Sequence, residues 1–119
     1  TKKYEVKRLS KKLGCKFEMN LVALDGQLLA EITEDNTQYT KSGKVKNVNN
    51  YKIGLEVIVN GCTEPNFKSK ELMEKFGVHT PYEVVDKLFL PAEMGNIAAE
   101  ITKLCGVENQ NETDEQVKN

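Results

Sequence analysis

The side chains best suited to catalysis or metal binding are three cysteines and one histidine: Cys15, Cys62, Cys105 and His79. A thiol beside an imidazole could act as a nucleophile, and a cluster of these groups could hold zinc. The cysteines are far apart and no Cys-x-x-Cys pair occurs, so their spacing does not fit a zinc site. Cys62 and Cys105 fall on predicted apolar helix faces, which favours buried thiols in a reduced cytosol. We therefore predict no metal site.

Two carboxylates, Glu64 and Glu93, could take part in acid–base chemistry, but each stands at a predicted structural boundary. Glu64 precedes a proline, a position typical of a residue that caps backbone N–H groups in a turn. Glu93 falls in the first turn of a predicted helix, where it complements the helix dipole. His79 lies just before another helix start and is typical of a turn residue. The sequence also lacks G-x-S-x-G, P-loop and H-E-x-x-H motifs. We predict no catalytic residue, no enzyme activity and no cofactor.

The signals for helix boundaries are concentrated between residues 61 and 104. A helix is expected to end near Cys62, because Pro65 disfavours the helical conformation in the residue before it. Ser69 can cap a second helix, and Gly77 can end it in the left-handed conformation. That helix carries an apolar stripe formed by Leu72, Met73 and Phe76.

The sharpest of these signals is a capping box. Thr80 suits the N-cap, Pro81 the first helical position and Glu83 the third. The helix that follows should bury Val84, Val85, Leu88 and Phe89. Pro91 begins a last helix, which should end at Gly106. Its apolar face is formed by Met94, Ile97, Ala98, Ile101, Leu104 and Cys105.

The first part of the chain favours strands. Apolar and polar residues alternate in residues 3–9 and 15–24, and the turn between them contains Gly14. This pattern predicts a β-hairpin. Asp25 can then cap a helix that runs to about Tyr39.

The next segment is a polar turn, residues 40–44, followed by an ambiguous stretch at residues 48–60. The apolar residues of that stretch fit helical spacing from Tyr51 to Cys62. They also alternate, and they include several β-branched side chains typical of a strand. We favour the helix.

The chain of 119 residues predicts one domain, residues 1–106, followed by a disordered polar tail, residues 107–119. Its fold class is α+β and mostly α, with an N-terminal β-hairpin followed by about five short helices. The net charge of −1 selects neither nucleic acid nor membrane, and we expect neither as a partner. We see no signal peptide and no apolar run of transmembrane length. Residues 1–16 are rich in lysine, which favours a solvated arm over a binding surface.

Three short motifs carry a resemblance to a known family. They are Gly61-Cys62-Thr63-Glu64-Pro65-Asn66-Phe67, the segment Leu72 to Phe76-Gly77-Val78, and Leu88-Phe89-Leu90-Pro91-Ala92-Glu93. In this order and spacing the chain resembles the XkdN-like phage tail assembly chaperones, well over residues 48–106 and loosely over residues 15–40. The family usually has Pro-Gly-Glu where this chain has Pro91-Ala92-Glu93. Alanine is the better helix former, so the helix start should be kept.

The resemblance implies a function and a set of partners. A chaperone of this kind binds the tape measure protein in the cytoplasm of the bacterial host and keeps it soluble until the tail tube polymerises around it. It is absent from the mature particle. The tail tube protein is a further expected partner, and self-association is left open. As partner contacts we predict Phe67, Tyr82, Phe89 and Leu90.

Two other functions fit parts of the sequence. Residues 72–88 could form a helix-turn-helix DNA-binding regulator of a mobile element. However, Glu83 and Asp86 would repel phosphates, and Lys87 is the single basic residue on that helix. The other alternative is a generic protein-interaction module.

Overall fold

The computed structural model describes residues 1–106, and the predicted disordered tail at residues 107–119 lies outside the described residues. The described part is α+β and mostly helical, as predicted. In chain order its elements are β1 (Lys2–Glu5), α1 (Lys7–Leu13), β2 (Glu18–Leu21), α2 (Gly26–Asp35), β3 (Thr37–Tyr39), β4 (Val45–Val48), α3 (Asn50–Gly61), β5 (Cys62–Glu64), α4 (Lys70–Phe76), α5 (Pro81–Leu88) and α6 (Pro91–Leu104).

The predicted N-terminal pairing is confirmed, but its connection is a helix and not a tight turn. β1 and β2 are antiparallel, with Tyr4 opposite Met19. Helix α1 occupies the connection, so the strand predicted over residues 3–9 is too long. Leu9 anchors this helix in the core, and Gly14 ends it with a φ of 73°. The hydroxyl of Ser10 accepts a hydrogen bond from the Phe17 N–H at 2.7 Å, which ties α1 to the chain entering β2.

A third strand, β5, was not predicted. Helix α3 ends at Gly61, as expected, and the chain then runs antiparallel to β2 with Cys62 opposite Leu21. Glu64 therefore joins the sheet through its backbone, and the peptide bond to Pro65 is cis. The strand order of this sheet is β1-β2-β5.

A second antiparallel pair, β3 and β4, replaces the end of the predicted helix over residues 25–39. Helix α2 ends at Asp35, because the Asn36 side chain donates a hydrogen bond to the Ile32 carbonyl at 2.8 Å. The Thr37 hydroxyl bonds back to the Thr33 carbonyl at 2.6 Å in the same way. The polar turn predicted at residues 40–44 joins the two strands, and Gly43 takes a φ of 87°.

The ambiguous stretch at residues 48–60 is helical from Asn50 onwards. The Asn49 side chain caps α3 by accepting a hydrogen bond from the Lys52 N–H at 3.1 Å. Helix α3 packs against α2, α5 and α6 and so is central to the fold. This position explains why its buried side chains include three in succession, Val57, Ile58 and Val59, and do not form a narrow stripe.

The boundaries predicted for the last three helices are confirmed. Gly77 follows α4 with a φ of 66°, and the Val78 N–H donates to the Met73 carbonyl at 3.0 Å, as in a Schellman motif. Ser69 occupies the N-cap position of α4, but its hydroxyl makes no capping bond. Helix α6 starts at Pro91, as expected with alanine in place of the family's glycine.

The core is one apolar cluster drawn from both the sheet and the helices. Its fully buried large side chains are Phe67, Met19, Leu21, Ile58, Ile97, Ile101, Val84 and Val85. Within residues 1–106, no helix combines the length and the apolar character needed to cross a lipid bilayer.

Candidate functional site

The four predicted partner contacts divide into two buried and two exposed side chains. Phe67 and Phe89 lie in the core, with ring centroids 6.0 Å apart in an edge-to-face arrangement. This burial corrects the expectation that Phe67 presents an accessible apolar side chain. Tyr82 and Leu90 are exposed by 38% and 51%. A contact between either of these two and a partner remains a prediction.

The capping box has the geometry expected from the sequence and serves the fold. The Thr80 hydroxyl accepts from the Glu83 N–H at 3.3 Å, and the Glu83 carboxylate accepts from the N–H groups of His79 and Thr80 at 2.9 and 3.2 Å. These backbone hydrogen bonds lower the pKa of Glu83. His79 is the turn residue that the sequence predicted.

Glu93 makes a second polar cluster, in which the sequence missed its partner. Arg8 of α1 donates from Nε and Nη2 to the two oxygens of Glu93 at 2.8 and 2.9 Å, and from Nη2 to the Leu88 carbonyl at 2.9 Å. The Leu90 N–H donates to the same carboxylate at 2.8 Å. The side-chain hydrogen bonds from Arg8 lower the pKa of Glu93. This cluster fastens α1 to the turn between α5 and α6.

The single arginine of the chain is the one signal in the sequence for this cluster. Arginine offers a planar fork that matches a carboxylate, whereas lysine offers a point charge. Residues 1–16 form a lysine-rich segment, which we call the basic arm. Other cations of the basic arm also pair within the chain, as Lys2 does with Glu100 and Lys16 with Glu18. The arm is therefore partly neutralised by acidic residues of its own fold.

Two of the three thiols, those of Cys62 and Cys105, contact the backbone and have structural roles. Cys62 is buried, and this burial raises the pKa of its thiol to about 12, so it is protonated at neutral pH. Its Sγ donates to the carbonyls of Glu64 and Pro65 at 3.3 and 3.4 Å. Cys105 is half-buried and its Sγ accepts from the Leu24 N–H at 3.2 Å. Each of these two thiols therefore forms a hydrogen bond with the backbone.

One candidate binding surface is an open apolar groove between α2, α3 and α6, with a volume of about 590 Å³. Sequence reasoning did not find it, because three separate helices form it. We call it the α2–α3–α6 groove. It is lined by Leu29, Thr33, Asn50, Tyr51, Ile53, Gly54, Val57, Pro91, Met94, Gly95, Ala98 and Thr102.

Two of the lining residues are glycines inside helices, Gly54 in α3 and Gly95 in α6. Apart from its two chain neighbours and the backbone of its own helix, a Cβ atom at either position would meet no atom of residues 1–106 within 4 Å. Packing within the described part of the chain therefore does not require glycine at either site. Glycine in a helix interior is destabilising by about 1 kcal/mol relative to alanine. These two glycines are the signal in the sequence that could have indicated the groove.

One predicted contact lies beside the groove and the other does not. Leu90 immediately precedes Pro91, which lines the groove. Tyr82 is in the first turn of α5, a helix that contributes no lining residue. On α5 the exposed residues include the acidic Glu83 and Asp86, while the Lys87 ammonium donates to the Phe76 carbonyl at 3.3 Å. This surface is a poor match for a phosphate backbone.

Comparison with a solved structure agrees with this fold. The chain is similar to the protein yqbn, whose crystal structure superposes with a TM-score of 0.62 at 21% sequence identity. The similarity covers 88% of this chain and 85% of the other. At this level of identity it shows the fold alone. No curated protein matches the chain.

The family assignment comes from a match over nearly the whole sequence. Residues 1–118 match the model of the phage XkdN-like tail assembly chaperone protein. The match includes β1, which the motif resemblance did not reach, as well as the capped helices after Gly61. The chain therefore belongs to the phage XkdN-like tail assembly chaperone family.

Proposed function

We propose that this protein binds the tape measure protein of a phage tail and keeps it soluble before the tail tube polymerises around it. Membership of the tail assembly chaperone family supports a partner among tail proteins. The observation that carries the choice of partner is the α2–α3–α6 groove, which is open and mostly apolar. A long helical chain with apolar stripes offers the surface that such a groove fits.

The small residues of the groove suit a helix as the ligand. Neighbouring helices pack with their axes about 8–10 Å apart, and the distance depends on the side chains at the contact. Gly54, Gly95 and Ala98 present little or no side chain, so a bound helix can come close to the backbones of α3 and α6. Tyr51 is exposed at the same groove and can cover the bound segment. The groove therefore receives an apolar ridge of a partner helix.

A single groove of this size gives modest affinity, and the function follows from many copies. Several chaperones along one tape measure chain would cover its apolar stripes together and prevent aggregation. Weak individual contacts also allow growing tube subunits to displace them without a nucleotide. On this proposal the protein acts in the cytoplasm of the bacterial host and is absent from the mature particle. Contact with the tail tube protein would occur at this displacement step.

The proposal is tested by expressing the tape measure protein alone and together with this chain. We expect the tape measure protein to move from the insoluble to the soluble fraction and to purify with several copies of this chain. Quantified gel bands or mass photometry give the ratio. A tape measure protein that stays insoluble, or that is soluble without this chain, would contradict the proposal.

Adjacent positions on α6 provide a matched pair of variants. Gly95→Leu places a side chain in the groove, whereas Asn96→Leu adds the same side chain at an exposed position that does not line the groove. Leucine is a good helix former, so both variants should fold. We expect Gly95→Leu to abolish co-purification and Asn96→Leu to retain it. Equal binding by both would exclude the groove as the site, and Leu90→Ala and Tyr82→Ala would then test the two exposed residues predicted from the sequence.

A further inference from the structure

The β3–β4 hairpin stands apart from the rest of the fold. Between Thr37 and Val48 no side chain is fully buried, and residues 38–47 are all exposed. Two large apolar side chains are among them, Tyr39 exposed by 47% and Val45 by 60%. An isolated two-stranded hairpin is marginally stable in water. This hairpin therefore presents apolar surface that the core does not use.

The charge of the hairpin has one sign. Lys41, Lys44 and Lys46 lie between residues 37 and 48, and no acidic residue does. All three lysines are exposed, and none of them forms one of the ion pairs described within residues 1–106. The contrast is with the basic arm, where Lys2, Arg8 and Lys16 each meet a carboxylate of the same chain. The hairpin lysines are thus available to carboxylates of another molecule.

The backbone of the hairpin is available as well. β3 and β4 form a two-stranded sheet of their own, so within the described residues each strand has an outer edge without a strand partner. The register shifts between Gln38 and Tyr39, which leaves Lys46 as the extra residue of a β-bulge. An unpaired edge accepts an extended peptide through main-chain hydrogen bonds, and alternate side chains of that peptide face the same way.

We propose that the β3–β4 hairpin binds an extended, acidic segment of a partner protein, which adds to its edge and places carboxylates against the lysines. The strand edge favours a protein segment over a nucleic acid as the occupant. An unpaired strand edge is satisfied by peptide N–H and C=O groups, which a phosphate backbone lacks.

This surface is separate from the α2–α3–α6 groove, because no residue from 37 to 48 lines that groove. It also differs in chemistry, since it combines charge with strand pairing and does not receive an apolar helix. Its binding partner and the tape measure protein can therefore be tested independently.

The probe is a short fluorescein-labelled peptide that alternates glutamate with threonine, titrated with the full chain and followed by fluorescence anisotropy. We expect saturable binding that weakens as salt rises towards about 0.5 M. The triple variant Lys41→Glu, Lys44→Glu, Lys46→Glu should bind about tenfold or more weakly. Its matched control reverses three exposed lysines elsewhere, Lys7, Lys11 and Lys70, and should bind as the wild type does. Circular dichroism confirms that both variants fold.

Two further ligands test the binding mode. A proline peptide separates strand pairing from charge, and a DNA tests whether the hairpin prefers a nucleic acid. A peptide with proline in place of each threonine keeps the charge but loses alternate N–H groups, so it should bind much more weakly. A labelled single-stranded DNA should bind more weakly than the glutamate peptide. Absence of saturable peptide binding, equal binding by the two triple variants, equal binding of the proline peptide, or tighter binding of the DNA would each overturn the proposal. The Gly95→Leu variant should bind the peptide as the wild type does. The peptide assay therefore tests the hairpin independently of the proposal that the groove binds the tape measure protein.

Discussion

The two sides of α6 show glycine used for opposite reasons. On one side, Gly61 of α3 packs so closely on Ile101 that a Cβ atom at residue 61 would lie 2.7 Å from the Ile101 side chain. On the other side, a Cβ atom at Gly95 would touch nothing in residues 1–106. The first glycine is required by the fold and the second is not. The closed side of α6 therefore stabilises the fold, while the open side is the one that we propose receives a partner.

This contrast separates stability from binding in terms that can be measured. Changes on the closed side should reduce the free energy of unfolding and affect binding only through loss of the fold. Changes on the open side should leave the fold intact, or improve it, and act on binding directly.

Ile101→Ala should cause the largest loss of stability. The Ile101 side chain of α6 is fully buried in the core, so truncating it removes apolar contacts and leaves a cavity. We expect the free energy of unfolding to fall by about 2–5 kcal/mol, measured by urea denaturation followed by circular dichroism. Leu90→Ala removes an exposed leucine at the start of the same helix and should change it by only about 0.5 kcal/mol. Similar losses in the two variants would mean that the closed side is not the stabilising one.

Gly61→Ala should destabilise the fold by about 1–3 kcal/mol, because the new methyl group would overlap the Ile101 side chain. The double variant with Ile101→Ala tests this cause. Alanine at residue 101 vacates the space that the methyl group needs, so the double variant should lose less stability than the sum of the single variants. Additive losses would show that the close contact with Ile101 is not what requires glycine.

Sequence reasoning was most accurate where single residues impose a local conformation. Thr80, Pro81 and Glu83 define a helix start through their own hydrogen bonds and ring geometry, and the structure reproduces it. Gly77 defines a helix end in the same way, since glycine takes a positive φ without strain. Such features depend on a few neighbouring residues, so they can be predicted from the sequence before the fold is known.

The errors fall where tertiary contacts decide between local alternatives. Residues 7–9 alternate like a strand, yet Leu9 packs into the core from a helix. Strand β5 is three residues long and exists because β2 lies beside it. Phe67 looked suitable as a surface contact, but the aromatic cluster around Phe89 buries it. The groove is formed by three helices distant in sequence, and the pairing of Arg8 with Glu93 spans most of the chain.

The Arg8–Glu93 pair predicts a smaller, pH-dependent contribution to the stability of the fold. The hydrogen bonds from Arg8 lower the pKa of Glu93 in the folded state below its ordinary value of 4.5. The stability that this pair contributes is therefore complete above that value and is lost as the pH falls through the folded-state pKa. Between pH 7 and about pH 3, the wild type should lose more stability than the Glu93→Gln variant.

The wild type must be compared with the Glu93→Gln variant, because the pKa values of Glu83 and Glu100 are also lowered. These two carboxylates make both proteins less stable in acid. Urea midpoints measured across this pH range give the difference that belongs to Glu93. Parallel curves for the wild type and Glu93→Gln would contradict the role assigned to the pair.

The smallest effect on stability is expected on the open side of α6, and it has the opposite sign. Gly95→Ala adds a methyl group that meets no neighbour and improves helix propensity, so the free energy of unfolding should rise by about 0.5–1 kcal/mol. If a partner helix approaches this backbone, the same methyl group should weaken co-purification with the tape measure protein, and adding Gly54→Ala should weaken it further. Asn96→Ala is the control, because it also raises helix propensity but lies outside the groove. A stabilised Gly95→Ala variant that binds as well as Asn96→Ala would show that the open side does not need a bare backbone, and the glycines would then have no role in binding.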